Sequence, residues 1–172
     1  MVPTLVLLLV MATVGAVDGA YYHTYKFRLF EQPSARFETV THIFRAFSLA
    51  IALWVLAHWI PVGGWYWAIL GVFTFDLADD IVDVLIEPRS RAPLGGLPPL
   101  EYFIHMIAIA LSGGAWATFV LAGWATRHEP AALVSFDLPW WLLWYARIAA
   151  VGALLTGVGD AIRLARSRAQ RG

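Results

Sequence analysis

Acidic and histidine side chains recur inside apolar segments of this 172-residue chain. Two segments have the spacing Glu-x-x-x-His, one at Glu38 and His42 and the other at Glu101 and His105. A third segment, residues 76–83, holds four aspartates within eight residues. Charged groups at membrane depth are costly to insert, and they usually serve a function. The pattern therefore favours one site that gathers several carboxylates and imidazoles.

The ligand types indicate which metals such a site would suit. Carboxylate and imidazole ligands without sulfur are typical of iron, manganese and zinc sites. The chain has no cysteine, which excludes thiolate zinc sites and cysteine-bound iron–sulfur clusters. Carboxylates that pack together in a low dielectric repel one another, and divalent cations remove that repulsion. We therefore expect two or more divalent transition metals, namely iron, zinc or manganese, as cofactors.

The composition is that of an integral membrane protein. Hydrophobic residues make up 60% of the chain, charged residues make up 14%, and the mean hydropathy is +0.67. The length suits a single transmembrane helical domain over residues 1–172, and the formal net charge of zero gives no indication of nucleic-acid binding. Residues 1–20 are apolar but lack the basic start of a signal peptide, so we expect a retained first helix.

Five apolar stretches are long enough to span about 30 Å of hydrocarbon. They cover residues 3–25, 35–60, 65–87, 99–126 and 138–166, and we expect Pro88 to end the third helix. Nine of the twelve basic residues then lie on one side of the membrane: Lys26, Arg28, Arg36, Arg89, Arg91, Arg163, Arg166, Arg168 and Arg171. The positive-inside rule places this side in the cytoplasm and the N-terminus outside, in a membrane of the bacterial inner (cytoplasmic) type.

The candidate ligands fall at the cytoplasmic ends of four of these predicted helices. Residues four apart share a helix face, so each Glu-x-x-x-His pair points one way. The acids at 76, 80, 83 and 87 of the third helix lie within about 60° of arc. We therefore predict metal ligands among Asp18, His23, Glu38, His42, Asp76, Asp79, Asp80, Asp83, Glu101 and His105.

Three acids at or near these cytoplasmic helix ends differ in position from the other candidate ligands. Asp79 lies at the edge of the acidic face of the third helix. Asp18 is five residues from His23, roughly 140° away on an ideal helix, so both reach one centre only if the helix is distorted or the site is extended. Asp160 on the fifth helix is expected to form an ion pair with Arg163 rather than to bind metal.

The motifs and the bundle architecture resemble those of the ferritin-like di-iron and di-manganese carboxylate proteins. The resemblance rests on Glu38, His42, Asp80, Asp83, Glu101 and His105. That class uses Glu-x-x-His with glutamates on the other two helices, whereas this chain has Glu-x-x-x-His and aspartates. The resemblance implies a four-helix metal-binding bundle, with the fifth helix flanking it, and leans toward an oxidoreductase.

These expectations lead to one leading function and two alternatives. The leading function is a membrane-embedded multinuclear metalloprotein with its cluster near the cytoplasmic side. It would act as an oxidoreductase on an apolar or lipid-like small molecule from the bilayer, or as a metal-assisted hydrolase. The first alternative is a transporter for metal ions or protons, suggested by the row of aspartates. The second is a membrane cytochrome that holds haem b between His42 and His105.

Overall fold

The computed structural model describes residues 1–169 and is built almost entirely of helices, which confirms the all-α class. The five long helices are α1 (Val2–Asp18), α2 (Arg36–His58), α3 (Gly64–Arg91), α4 (Pro99–Gly123) and α5 (Trp140–Ala169). The first continues as a π-helix over Gly19–Lys26. Single 3₁₀ turns cover Leu29–Glu31, Pro33–Ala35, Ala92–Leu94 and Trp124–Thr126.

Four of the helices are long and apolar enough to cross a membrane. With their flanking turns they cover Val2–Lys26, Pro33–His58, Pro99–Thr126 and Trp140–Ser167. Helix α3 is long enough, at 28 residues, but its carboxylates lower its hydropathy, and it is not among the four. Large apolar side chains cover the outside of the bundle, including Val6, Trp54, Leu121 and Leu155. Such a surface is typical of helices that face lipid.

The helices divide the bundle into an apolar half and a polar half. Helix α1 packs along α4, and α2 packs along both α3 and α5. The apolar half contains Leu5, Leu53 and Phe73, all at most 3% exposed. There Tyr66 stacks on Phe119 with ring centroids 5.3 Å apart. The polar half lies at the opposite ends of the same helices, where α1 ends and α2 and α4 begin.

A two-stranded antiparallel ribbon closes the apolar end, and the sequence patterns do not predict it. Strand β1 (Trp59–Val62) follows α2 directly, and strand β2 (Ala132–Ser135) lies between α4 and α5. Trp59 pairs with Ser135, and Val62 pairs with Ala132. The pairing satisfies backbone groups that a simple loop would leave open, so α2 ends at His58 rather than near residue 60.

Helix α3 does not end at Pro88, so that prediction is wrong. The helix continues through Pro88 to Arg91. A proline inside a helix removes one amide hydrogen bond, but packing on neighbouring helices can compensate for the loss in a membrane protein. The extra turn carries Ser90 and Arg91 into the polar half, where both are buried.

Gly63 is required at the start of α3, and its substitution tests the ribbon. Its φ is +57°, and a Cβ there would lie 2.1 Å from the carbonyl oxygen of Glu129. We expect Gly63→Ala to lower the free energy of unfolding by about 1–3 kcal/mol, measured by reversible denaturation in detergent. Gly71→Ala is the matched control, because a Cβ at that position of α3 meets nothing within 4 Å. Equal effects of the two substitutions would contradict the contact.

Candidate metal centre

Eight carboxylates are buried in the polar half of the bundle. Each residue is at most 9% exposed: Asp18, Glu38, Asp76, Asp79, Asp80, Asp83, Glu87 and Glu101. Two guanidinium groups, those of Arg45 and Arg91, lie among them. Three histidines, His23, His42 and His105, contact the same acids. The charged side chains thus come from α1, its π extension, α2, α3 and α4.

The π-helix resolves the angular mismatch between Asp18 and His23. In an α-helix residues five apart diverge, but a π-helix bonds residue i to residue i+5 and brings them onto one face. The amide of Phe27 donates to the carbonyl of Tyr22 at 2.9 Å, which is this pattern. As a result, Nε2 of His23 lies 3.0 Å from Oδ2 of Asp18. The helix is therefore distorted at the point where Asp18 and His23, five residues apart, need it in order to reach one centre.

One group of four side chains has the composition of a metal site. Asp18, His23, Glu101 and His105 each offer a ligand atom, and these atoms lie within 4.8 Å of one another. Oδ2 of Asp18 is 3.1 Å from Nε2 of His105, and Oε1 of Glu101 is 3.7 Å from Nε2 of His23. The second oxygens of Asp18 and Glu101 are buried without a hydrogen-bond partner. All four residues are among the predicted ligands.

Glu87 orients His105, a role that the predicted ligand set does not include. Its Oε1 contacts Nδ1 of His105, which leaves Nε2 of the same ring facing Asp18 and His23. Metal-binding histidines commonly donate their second ring nitrogen to a carboxylate in this way. Glu87 lies on the acidic face of α3 at the spacing shared by Asp76, Asp80 and Asp83, and that spacing is the signal for it.

A second group contains His23, Glu38 and His42, with ligand atoms also within 4.8 Å of one another. The ring centroids of His23 and His42 are 4.3 Å apart. The carboxylate of Glu38, however, is already occupied: Ser90 donates to Oε2, and Arg91 donates to Oε1 from Nε at 2.9 Å. The two groups therefore share His23. They differ in their glutamates, because both oxygens of Glu38 accept hydrogen bonds, whereas Oε2 of Glu101 has no hydrogen-bond partner.

Arg91 is the main participant that sequence reasoning misses. It is 0% exposed, and its Nη2 lies 2.7 Å from Oε1 of Glu38 and 2.6 Å from Oε1 of Glu101. A helix that ends at Pro88 would leave Arg91 in a basic loop, whereas α3 continues to Arg91. Four residues beyond Glu87, it continues the face of the acids on α3, and this spacing could have identified it.

Asp83 contacts three side chains of α2 beside the second group. It accepts from Thr41 at 2.7 Å and lies 3.3 Å from Nε2 of His42. The guanidinium of Arg45 contacts both Asp83, at 3.4 Å, and Asp80, at 2.7 Å. These contacts crosslink α2 to α3 through paired charges.

The remaining predicted ligands lie away from the two groups. Asp76 accepts from Ser112 at 3.5 Å, and its other oxygen is buried without a hydrogen-bond partner. Asp79 and Asp80 each have one such oxygen as well. Asp160 forms the predicted ion pair with Arg163, at 3.3 Å.

The polar half carries surplus negative charge among the described residues. The eight carboxylates exceed the two guanidiniums by six, and even three fully protonated histidines would leave a surplus of three. Burial of unpaired charge costs several kcal/mol per ion. The surplus must be neutralised by bound cations or protons.

Comparison with protein-family models, curated proteins and solved structures gives no match. The function therefore has to be inferred from the chemistry of the site itself.

Two aspartates on the same face of α3 should respond oppositely to neutralisation. Asp83 has three partners in Thr41, His42 and Arg45, so Asp83→Asn should lower the free energy of unfolding of metal-free protein by about 3 kcal/mol. Among the described residues Asp76 has one hydrogen-bond partner, Ser112, and it lies one turn from Asp80. Asp76→Asn should therefore leave that free energy unchanged or raise it. Reversible denaturation of chelator-treated protein measures both. Equal losses would contradict the pairing described above.

Proposed function

We propose that this chain is a membrane-embedded metalloprotein whose centre binds transition metals through carboxylate and imidazole ligands. The observation that carries the proposal is the convergence of Asp18, His23, Glu101 and His105 in a buried region that has surplus negative charge. A divalent cation would meet two requirements at once. It would neutralise part of the surplus, and it would be held by Asp18 and Glu101, each of which has an oxygen without a hydrogen-bond partner.

The spacing of these atoms suits a small divalent metal. Ligands about 2.0–2.1 Å from zinc lie roughly 3.3 Å from one another in a tetrahedral site. The distances from Oδ2 of Asp18 to the two histidine nitrogens are 3.0 and 3.1 Å. Iron and manganese accept the same donor types, so the ligands alone favour iron, manganese or zinc without selecting one.

We place all five long helices across the membrane. Helix α3 lies between α2 and α4, and its carboxylates face the polar interior rather than lipid. The basic side chains at the polar end support a cytoplasmic position for the metal centre, as in the inner membrane of a bacterium. Two corrections apply to the sequence count of basic residues. Arg91 is part of the site itself, and Arg168 and Arg171 fall outside the side chains that the structure describes.

Bound metals would supply Lewis acidity or redox chemistry, and the chain itself would set where a substrate meets them. In that role Glu87 would fix the ring of His105, and Arg91 would hold Glu38 and Glu101 in place. The likeness to ferritin-like di-iron proteins favours an oxidoreductase, whereas zinc would favour a hydrolase. A substrate that enters from the bilayer would be apolar or lipid-like.

Two other functions fit the structure less well. An ion path would need polar groups through the apolar half, but the described residues there include Leu5, Leu53 and Phe73, packed in the core. A haem would need space between the histidines. The cavity beside His105, lined also by Arg45, Asp80 and Asp83, measures about 10 Å³, enough for roughly one water molecule.

Metal content tests the proposal directly. Protein purified without added metal should retain at least about one iron, manganese or zinc ion per chain, measured by plasma mass spectrometry with an absorption spectrum. His105→Ala should remove it. His58→Ala is the control, because His58 lies at the opposite end, where Arg147 contacts its Nε2 at 3.1 Å. Metal-free wild-type protein would refute the proposal, and a Soret band would favour haem instead.

The orienting role of Glu87 gives a graded prediction. Glu87→Gln should weaken metal binding by about 10- to 100-fold, because the His105 ring loses its charged partner but keeps Nε2. Glu31→Gln is a control on an exposed acid of the same type. Competition with a chromophoric chelator measures both affinities. An unchanged affinity in Glu87→Gln would show that His105 does not depend on this contact.

A further inference from the structure

The two Glu-x-x-x-His motifs have the same spacing but different surroundings. Both oxygens of Glu38 accept hydrogen bonds, from Ser90 and from Nε of Arg91. In Glu101 only Oε1 is contacted by Arg91, and Oε2 is buried without a hydrogen-bond partner. Glu101 therefore keeps one oxygen free to bind a cation although Arg91 contacts the other, whereas both oxygens of Glu38 are occupied by donors that the chain supplies.

Arg91 is held firmly in the position between these glutamates. Its side chain is 0% exposed, and its guanidinium carbon lies 5.1 Å from the ring centroid of Phe27, a cation–π distance. The planar guanidinium matches a carboxylate through two donors, which a spherical metal ion or a lysine ammonium does not reproduce. Glu38 and Glu101 come from α2 and α4, so this contact also crosslinks the helices.

We infer that Arg91 takes the place of a second cation and makes the two metal positions unequal. The inference rests on the proposed metal centre. The first position is formed by Asp18, His23, Glu101 and His105, and it binds metal tightly. The second is formed by His23, Glu38 and His42, and Arg91 blocks it by holding Glu38.

His23 belongs to both positions, and its ring chemistry allows it to serve both. An imidazole ring has two nitrogens, and His23 can bind one metal through each of them once metal binding has released the N–H proton of the neutral ring. His42 lies beside it, with Nε2 only 3.3 Å from Oδ2 of Asp83. When the charge of Arg91 is removed, Glu38 becomes a buried carboxylate without a countercharge, next to two imidazoles. Such a group either takes up a proton or recruits a cation.

A matched pair of variants tests the inequality of the two motifs. Mn²⁺ is titrated into metal-free full-length protein in detergent, and bound Mn²⁺ is counted by electron paramagnetic resonance. Glu101→Gln should weaken the tight site by about 100-fold or more, whereas Glu38→Gln should change it by less than about threefold. Equal losses would overturn the inference, because both glutamates would then be ligands of one site.

A second set of variants opens the blocked position. Arg91→Gln should raise the bound Mn²⁺ from about one to about two ions per chain. The two ions should show spin coupling through His23, which bridges them as the deprotonated imidazolate. Arg91→Lys keeps a charge and should stay near one ion. The Arg91→Gln, Glu38→Gln double variant should return to one. Arg89→Gln is the control, because Arg89 is exposed two residues earlier on the same helix.

The outcomes separate this inference from the proposed function. Wild-type protein that binds none of Mn²⁺, Fe²⁺ and Zn²⁺ would refute the metal centre as a whole. Tight binding of one ion in both the wild type and a folded Arg91→Gln would overturn only the role of Arg91. If Arg91→Gln fails to fold, as judged by helical circular dichroism, the comparison of Glu38→Gln with Glu101→Gln decides the matter alone.

Discussion

Surplus negative charge, buried at one end of the bundle, is the constraint on which the rest of the structure depends. Carboxylates from three helices and the end of a fourth meet in a low dielectric, where their repulsion would separate the helices unless cations intervene. The chain supplies two of those cations, on Arg45 and Arg91, and each of them links helices through carboxylates. The apolar half stabilises the bundle by packing. The charged contacts of the polar half determine which helix faces meet and how the helices are positioned along the bundle axis.

Local backbone distortion serves the same requirement. The π-helix at the end of α1 places His23 over Asp18, and the passage of α3 through Pro88 carries Arg91 between two glutamates. A π-helix is rare, and a proline within a helix removes a backbone hydrogen bond, so tertiary contacts must stabilise both segments. π-Helical turns are frequent at functional sites because they direct side chains that a regular helix would separate.

Residue type and helical periodicity predict much of this arrangement. The spacing of four between Glu101 and His105, and the acidic face of α3, correctly predict side chains that share a face, because that face follows from 3.6 residues per turn. Periodicity could not predict the π-helix, the length of α3 beyond Pro88 or the β-ribbon, because these depend on contacts between distant segments. The sequence does not single out Arg91, because its place in the site depends on the continuation of α3 beyond Pro88. A basic residue after a proline resembles a loop residue until the helix is known to continue.

The proposed metal centre is defined by its imidazole and carboxylate ligands. X-ray absorption at the edge of the metal that copurifies with the chain detects those ligands. We expect a shell of nitrogen and oxygen ligands, at about 2.0–2.1 Å if the metal is zinc, with the outer-shell scattering of imidazole rings. A shell of oxygen alone, as a hydrated ion bound at the surface would give, or the lack of any copurifying metal, would contradict it.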